Sequence, residues 1–207
     1  MPPDKHTHWE TIYQGKKPDA VSWYQPSLHL SLDLIQEAGV PKGAAIIDVG
    51  GGSSTLVDDL LSSGYSDITV FDVSEKALDY SKTRLGAGTA GVTWMVGDVT
   101  TVEFPRSSFD LWHDRALFHF LVREEERRRY CSLMEASIRP GGYAVIATFG
   151  PHGPPTCSGL EVVRYSGDAL QQTLGNAFHR LSCKVEQHIT PGNVTQEFTY
   201  CLFRKEV

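Results

Sequence analysis

Clustered positive charge is missing from this chain of 207 residues. Nowhere do five or more Lys and Arg stand in a row, and 25 Asp and Glu against 19 Lys and Arg give a formal net charge of −6. Nucleic-acid grooves and anionic membrane surfaces need concentrated basic side chains, so neither is expected as the main partner. Cysteine is scarce too. Cys131, Cys157, Cys183 and Cys201 form no CxxC pair and have no His at ligand spacing. That excludes a zinc site or a disulfide scaffold and reads as reduced, intracellular thiols. No apolar run reaches membrane-spanning length, and the opening MPPDKHTHWE lacks a signal-peptide core. A cytoplasmic protein is expected, in which the sequon Asn193-Val194-Thr195 stays unused. His6 and His8 read as part of a solvated tail, and no metal is expected. There is no internal repeat and no low-complexity linker.

What is present is 41% hydrophobic and 21% charged, enough for one well-packed domain; monomer and homodimer stay open. Residues 1–40 read as a helical lid segment of the same domain. His8 to Tyr13 fits a short helix, and Ser22–Pro26 an aromatic turn. Ser27 is placed to cap a second helix that ends at Gly39.

From residue 41 to 207 strands and helices alternate. Ala44–Val49 is a continuous apolar run, as in a parallel strand buried on both faces. Ile68–Phe71, Val92–Val96, Phe109–His113 and Tyr143–Phe149 follow as further strands. Ser74 caps one intervening helix. Another begins at Glu124, with Glu124–Arg128 and Glu125–Arg129 at helix-pair spacing, and stops at the Arg139-Pro140-Gly141-Gly142 turn. A helix near Ser166–Leu174 precedes two alternating stretches, Arg180–His188 and Thr195–Phe203, that fit an antiparallel hairpin. The pattern predicts an α/β fold, a doubly wound, mostly parallel seven-stranded sheet. Such sheets bind ligands beyond the carboxyl ends of their strands.

Candidate site residues sit at those ends. Asp48 is followed by Gly50, Gly51, Gly52, Ser53 and Ser54, a loop able to bring backbone close to a ligand. Strand two ends at Asp72, whose carboxylate can accept both hydroxyls of a ribose. Strand three is followed by Gly97-Asp98, an acceptor suited to an adenine amino group. A nicotinamide-dependent oxidoreductase is the rival, but the third glycine of its fingerprint is Thr55 here.

In this combination the chain resembles class I S-adenosylmethionine-dependent methyltransferases. The carriers are Asp48, Gly50 and Gly52, then Asp72, Gly97-Asp98, the Arg139–Gly142 turn and the closing hairpin. The resemblance spans roughly residues 9 to 203 and departs at Ser54, where many members have a third glycine; its hydroxyl can cap the following helix. It implies S-adenosylmethionine as cofactor. Gly50, Gly52 and Ser54 would face the methionine part, Asp72 with Val73 the ribose, and Asp98 with Val99 the adenine. Trp9, Tyr13, Trp23 and Tyr24 are too many large aromatics for a solvated arm; families of this kind close such a segment over the cofactor, a part that falls to Tyr13 and Trp23, with Tyr24 towards the acceptor.

The acceptor side should begin where strand four ends, at Trp112-His113-Asp114-Arg115-Ala116-Leu117. This piece is similar to the Trp-Asp-Arg-Gly-Ala-Leu pattern of thiopurine methyltransferase and the Asp-Lys-Gly-Thr pattern of elongation-factor lysine methyltransferases. His113 is inserted, and Ala116 stands where both have glycine. His113, Asp114 and Arg115 are the catalytic candidates, although Asp114 and Arg115 also read as a structural ion pair. His119 reads either as a substrate contact or as a satisfied core histidine. His152, in a Pro-rich loop after strand five, is a substrate-wall candidate, and Cys157 an inert thiol beside it. A small molecule or a protein lysine would receive the methyl group on N, O or S. A module that binds the cofactor without turnover is the alternative of another class.

Overall fold

The computed structural model describes residues 4–207, so residues 1–3 of the expected lid segment lie outside it. Helix α1 (Lys5–Gly15) is longer than its sequence suggests, because Asp4 accepts from the Thr7 N–H and caps it. Helix α2 is His29–Ala38 and ends on Gly39 at φ +69°. Ser27 does not cap it: the hydroxyl donates instead to Asp59 at 3.0 Å.

Strands β1 (Ala45–Val49), β2 (Asp67–Asp72), β3 (Val92–Val96), β4 (Phe109–Arg115) and β5 (Ile138–Phe149) pair in parallel. Between them run α3 (Leu56–Ser62), α4 (Glu75–Leu85) and α5 (Glu124–Ser137). Ser74 caps α4 as its position predicts, accepting from the Ala77 N–H at 3.1 Å. A small hairpin, β6 (Thr156–Cys157) and β7 (Leu160–Glu161), precedes α6 (Gly167–Leu174). Strands β8 (Phe178–Ile189) and β9 (Thr195–Lys205) close the chain as the antiparallel hairpin expected. The sheet order is β3-β2-β1-β4-β5-β9-β8, the seven-stranded arrangement read from the pattern.

Two apolar layers flank the sheet. α2 and α3 cover one face with Leu34, Ile35, Leu56 and Leu60; α5 and α6 cover the other with Tyr130, Met134, Leu170 and Leu174. All five residues of β1 are buried, which is why its sequence has no polar alternation. The Arg139–Gly142 segment is not a free turn. It bulges from β5, between the Phe109–Ile138 and Leu111–Tyr143 pairings, with Gly141 at φ +74°.

One expectation about cysteine fails. The hairpin register sets Cys183 opposite Cys201, and the two are joined as a disulfide. Wide spacing in sequence says nothing about cross-strand neighbours. Cys131 and Cys157 stay free. No helix among the described residues is long and apolar enough to cross a membrane, and no cluster of potential metal ligands occurs among them.

Candidate functional site

β1 and β4 are neighbours, and the chain leaves them toward opposite edges of the sheet, so the loops after β1 to β4 part at this point. A cleft opens there. Its floor is the glycine loop. Gly50 is at φ +74° and Gly52 at φ +33°, backbone that side-chain-bearing residues resist. Space enforces the same choice: a Cβ on Gly50 would come within 2.8 Å of Leu117, and one on Gly52 within 2.7 Å of Asp72 Oδ2. Ser54 accepts from the Leu56 N–H at 3.1 Å and so supports the start of α3.

Three carboxylates face the cleft from adjacent strands: Asp48 from β1, Asp72 from β2 and Asp98 just after β3. Asp72 accepts the backbone N–H of Ser74 at 2.8 Å, yet its carboxyl is pushed up to about 7. Burial is the main cause; backbone N–H donors oppose it, and the charges of Asp48 and Glu10 add to it. Asp72 therefore has acceptor capacity that the protein leaves unused. Asp98 is anchored by the N–H and hydroxyl of Thr100 at 2.8 and 2.7 Å. Val73, Gly97 and Val99 line the same side.

The opposite wall is aromatic. Trp9 packs edge-on against Trp23 and Phe120, with ring centroids 5.8 and 5.1 Å apart, and Tyr13 packs against Trp23. Tyr24 lines the cleft beside them. Burial, then the nearby Asp72 charge, raises the Tyr13 hydroxyl well above its usual range. Helix α1 is fixed over the cleft at its start and at its middle. Glu10 accepts from the Ser74 hydroxyl at 2.8 Å and the Lys76 N–H at 3.1 Å, and Lys5 pairs with Glu126 at 2.6 Å.

The three polar residues after Trp112 separate. His113 lines the cleft with its ring while both nitrogens are engaged: Nδ1 lies 2.7 Å from Asp48 Oδ1 and Nε2 2.9 Å from the Ser31 hydroxyl. Asp114 points to the other face of the sheet. It accepts from the Tyr130 hydroxyl at 2.6 Å and from the Leu117 and Phe118 N–H groups, and does not line the cleft. Burial pushes its carboxyl up to about 6 against those hydrogen bonds. Arg115 borders the cleft and ties the aromatic segment down, donating to the Trp23 carbonyl at 2.8 Å and the Tyr200 hydroxyl at 2.6 Å. The ion pair expected between Asp114 and Arg115 is thus absent, because alternate strand residues face opposite ways. Ala116 sits at φ +72°, which accounts for glycine at this place in both related patterns.

Two substrate-wall candidates lie elsewhere. His119 is fully buried between Phe120 and Phe149; its Nδ1 accepts the Phe149 N–H at 3.1 Å, and burial lowers it to about 3. It is a core histidine. His152 is exposed, on a loop that folds back on Glu197 rather than over the cleft. From that segment only Cys157 reaches the cleft. Gly52 lies behind Asp72, and Gly51 takes the lining position instead. Trp9, from the expected lid, and Ser53, from the glycine loop, also reach the cleft; sequence reasoning missed Gln25, Thr55, Leu117 and Phe120 there. Phe120 was findable as an aromatic flanking the strand-four segment. Thr55 and Gln25 were not, since the Thr55 hydroxyl meets the Gln25 carbonyl only in the folded chain.

Residues 46–142 match the family model described as a methyltransferase domain. The eEF1A lysine and N-terminal methyltransferase of Mus musculus is 29% identical over 119 residues, 58% of this chain but only 17% of that protein. The chain therefore spans a small part of that relative. Among solved structures, one concerning conversion of a disulfide bond into a thioacetal group during echinomycin biosynthesis superposes with a TM-score of 0.77. It is 18% identical and covers 98% of this chain and 92% of its own. The Burkholderia thailandensis 1,6-didemethyltoxoflavin-N1-methyltransferase, with its substrate and S-adenosylhomocysteine bound, superposes with a TM-score of 0.76. It too is 18% identical, covering 98% and 87%. At these identities the structures share the fold.

Proposed function

We propose that this chain, which belongs to the class I S-adenosylmethionine-dependent methyltransferase family, moves the methyl group of S-adenosylmethionine onto an N, O or S atom of a small molecule. The carrying observation is the divided cleft. Its acids, Asp48, Asp72 and Asp98, stand together at the ends of β1 to β3, and its aromatics, Trp9, Tyr13, Trp23, Tyr24 and Phe120, form the other wall.

The residues fit the cofactor. Asp72 has unused acceptor capacity for a ribose diol, Asp98 with Val99 suits the adenine, and the Gly50–Ser54 loop the methionine part. When bound, S-adenosylmethionine supplies a methyl already activated by its sulfonium. The protein's own task is alignment and exclusion of water. The aromatic faces favour a positively charged centre and a flat apolar acceptor. With both His113 nitrogens engaged, the acceptor wall offers no free imidazole as general base. Methyl transfer should therefore follow the acceptor's own ionisation, with Arg115 holding the wall rather than reacting.

A protein lysine is the second reading, favoured by the printed activity of the mouse relative. Against it, the aromatic wall carries no carboxylate for an incoming ammonium. We infer a cytoplasmic setting, with which the free Cys131 and Cys157 agree and the Cys183–Cys201 bond does not.

The test is calorimetric titration with S-adenosylmethionine, S-adenosylhomocysteine and NAD, followed by transfer of labelled methyl into a metabolite extract and a protein extract. Binding of the first two and label in small molecules is the expected result. Label confined to protein would select the lysine reading. Binding without any transfer would make this a cofactor-binding module, and no binding would overturn the methyltransferase assignment.

A further inference from the structure

Strand β8 ends the sheet, and its Glu186 and His188 do not line the cleft. Residues two apart on a strand face the same way, and these two meet the back of the aromatic wall. Residues 22–25, which carry Trp23 and Tyr24, are bonded from outside at three carbonyls. That of Ser22 accepts from His188 Nε2 at 2.7 Å, that of Trp23 from Arg115 and that of Gln25 from Thr55. We propose that Glu186 is a positioning residue for this wall. From outside the cleft it is the common acceptor that fixes Arg115 and Gln25, and through them Trp23 and Tyr24. The proposal rests on reading the cleft as the S-adenosylmethionine site.

The direction of each hydrogen bond singles Glu186 out. A carbonyl can only accept, so His188 Nε2 carries the proton and Nδ1 of the neutral ring is an acceptor. Gln25 Nε2 stands 3.2 Å from that Nδ1 and 2.9 Å from Glu186 Oε1, and gives one hydrogen to each. The reverse amide orientation would set its oxygen against the carboxylate. On the other side Arg115 Nε donates to the Tyr200 hydroxyl, which donates in turn to Glu186 Oε2 at 2.9 Å. Both chains of donors end on one carboxylate.

Charge points the same way. The Arg115 side chain is 5% exposed, and Glu186, at 3.9 Å, is the one carboxylate within ion-pair distance of it among the described residues. Arg115 Nη2 has no hydrogen-bond partner, so the guanidinium is held through Nε, by way of Tyr200, and through Nη1 on the Trp23 carbonyl. A buried cation stripped of its counter-charge is strongly unfavourable and moves to find another. Trp23 meets the rings of Trp9 and Tyr13, so a shift of about 1 Å at its carbonyl misplaces the face assigned to the cofactor.

Glu186→Gln keeps the shape and one acceptor oxygen, which can serve Gln25 or Tyr200 but not both. Calorimetry with S-adenosylhomocysteine, and hydrogen exchange of the ligand-free whole chain, compare it with the wild type. Affinity should fall roughly tenfold. Amides of residues 22–25 should exchange faster while those of the β8–β9 ladder keep their rates. Tyr200→Phe should act in the same direction. Adding Glu186→Gln to it should cost less affinity than in the wild type, as for two residues acting through one chain of bonds.

Unchanged affinity in both variants would overturn the proposal, as would exchange that quickens across the whole sheet or nowhere. A wild type that binds no S-adenosylhomocysteine would instead overturn the cofactor reading. The exchange of residues 22–25 would then decide by itself whether Glu186 holds the wall.

Discussion

His113 Nδ1 lies 2.7 Å from Oδ1 of Asp48, on the neighbouring strand, with both side chains almost fully buried. Asp48 is the residue that opens the glycine loop, so the imidazole fixes the carboxylate from which the loop departs. Ser31 on α2 occupies the other ring nitrogen. A serine, a histidine and an aspartate in a row suggest nucleophilic hydrolysis, but Ser31 is fully buried and does not line the cleft. The row is a brace.

That brace predicts a graded response. His113→Ala leaves two buried polar partners unpaired and should destabilise the fold by roughly 3 kcal/mol; Ser31→Ala should cost about 1 kcal/mol. Urea denaturation measures both. If Ser31→Ala left stability unchanged but abolished methyl transfer, the row would belong to the chemistry instead.

Asp72 predicts a pH dependence of cofactor binding. With its carboxyl near 7 in the free protein, the charged form that accepts ribose hydroxyls dominates only above that pH. Affinity for S-adenosylhomocysteine should fall by up to roughly tenfold per unit below pH 7. Above pH 7 it should level off, and binding near pH 7 should take place with proton release. Calorimetry in buffers of different ionisation enthalpy reads both effects.

The same shift has a stability sign. The folded carboxyl lies above its unfolded value near 4, so the fold binds the extra proton. Stability from this group is full below about pH 4 and is lost as pH rises through 7. Asp72→Asn should therefore raise the stability of the cofactor-free protein at pH 8 by roughly 1–3 kcal/mol while weakening cofactor binding by a similar amount. An equally stable variant with full affinity would remove Asp72 from the site.

Ala116, at φ +72°, bears a side chain in backbone that favours glycine. Ala116→Gly relieves about 1–2 kcal/mol of strain and adds about 0.4–1 kcal/mol of unfolded-state entropy. The net expectation is a gain of roughly 0.5–1 kcal/mol, seen as a higher denaturation midpoint. A loss would mean that the methyl packs against the cleft wall strongly enough to offset the strain.

The sequence by itself determined the architecture and the acid row. Short apolar runs bounded by turn residues fit strands buried on two faces, and Asp48, Asp72 and Gly97-Asp98 stand at the carboxyl ends of three of them, where such sheets bind ligands. Ser74 and Gly39 marked their helix ends because capping is local. Tertiary structure decided everything that depends on which way a side chain turns after β4. Asp114 and Arg115 are neighbours in sequence, yet the pleat sends one to Tyr130 and the other to Trp23 and Tyr200. His119, in the same stretch, enters the core on the short helical turn Phe118–Phe120 that follows β4. Long-range pairings decided the rest: Cys183 with Cys201 by hairpin register, Ser27 with Asp59, Glu10 with Ser74. Periodicity carries burial and caps, which are properties of nearby residues. It carries no record of which distant residue will be opposite, since only closing the sheet brings those partners together.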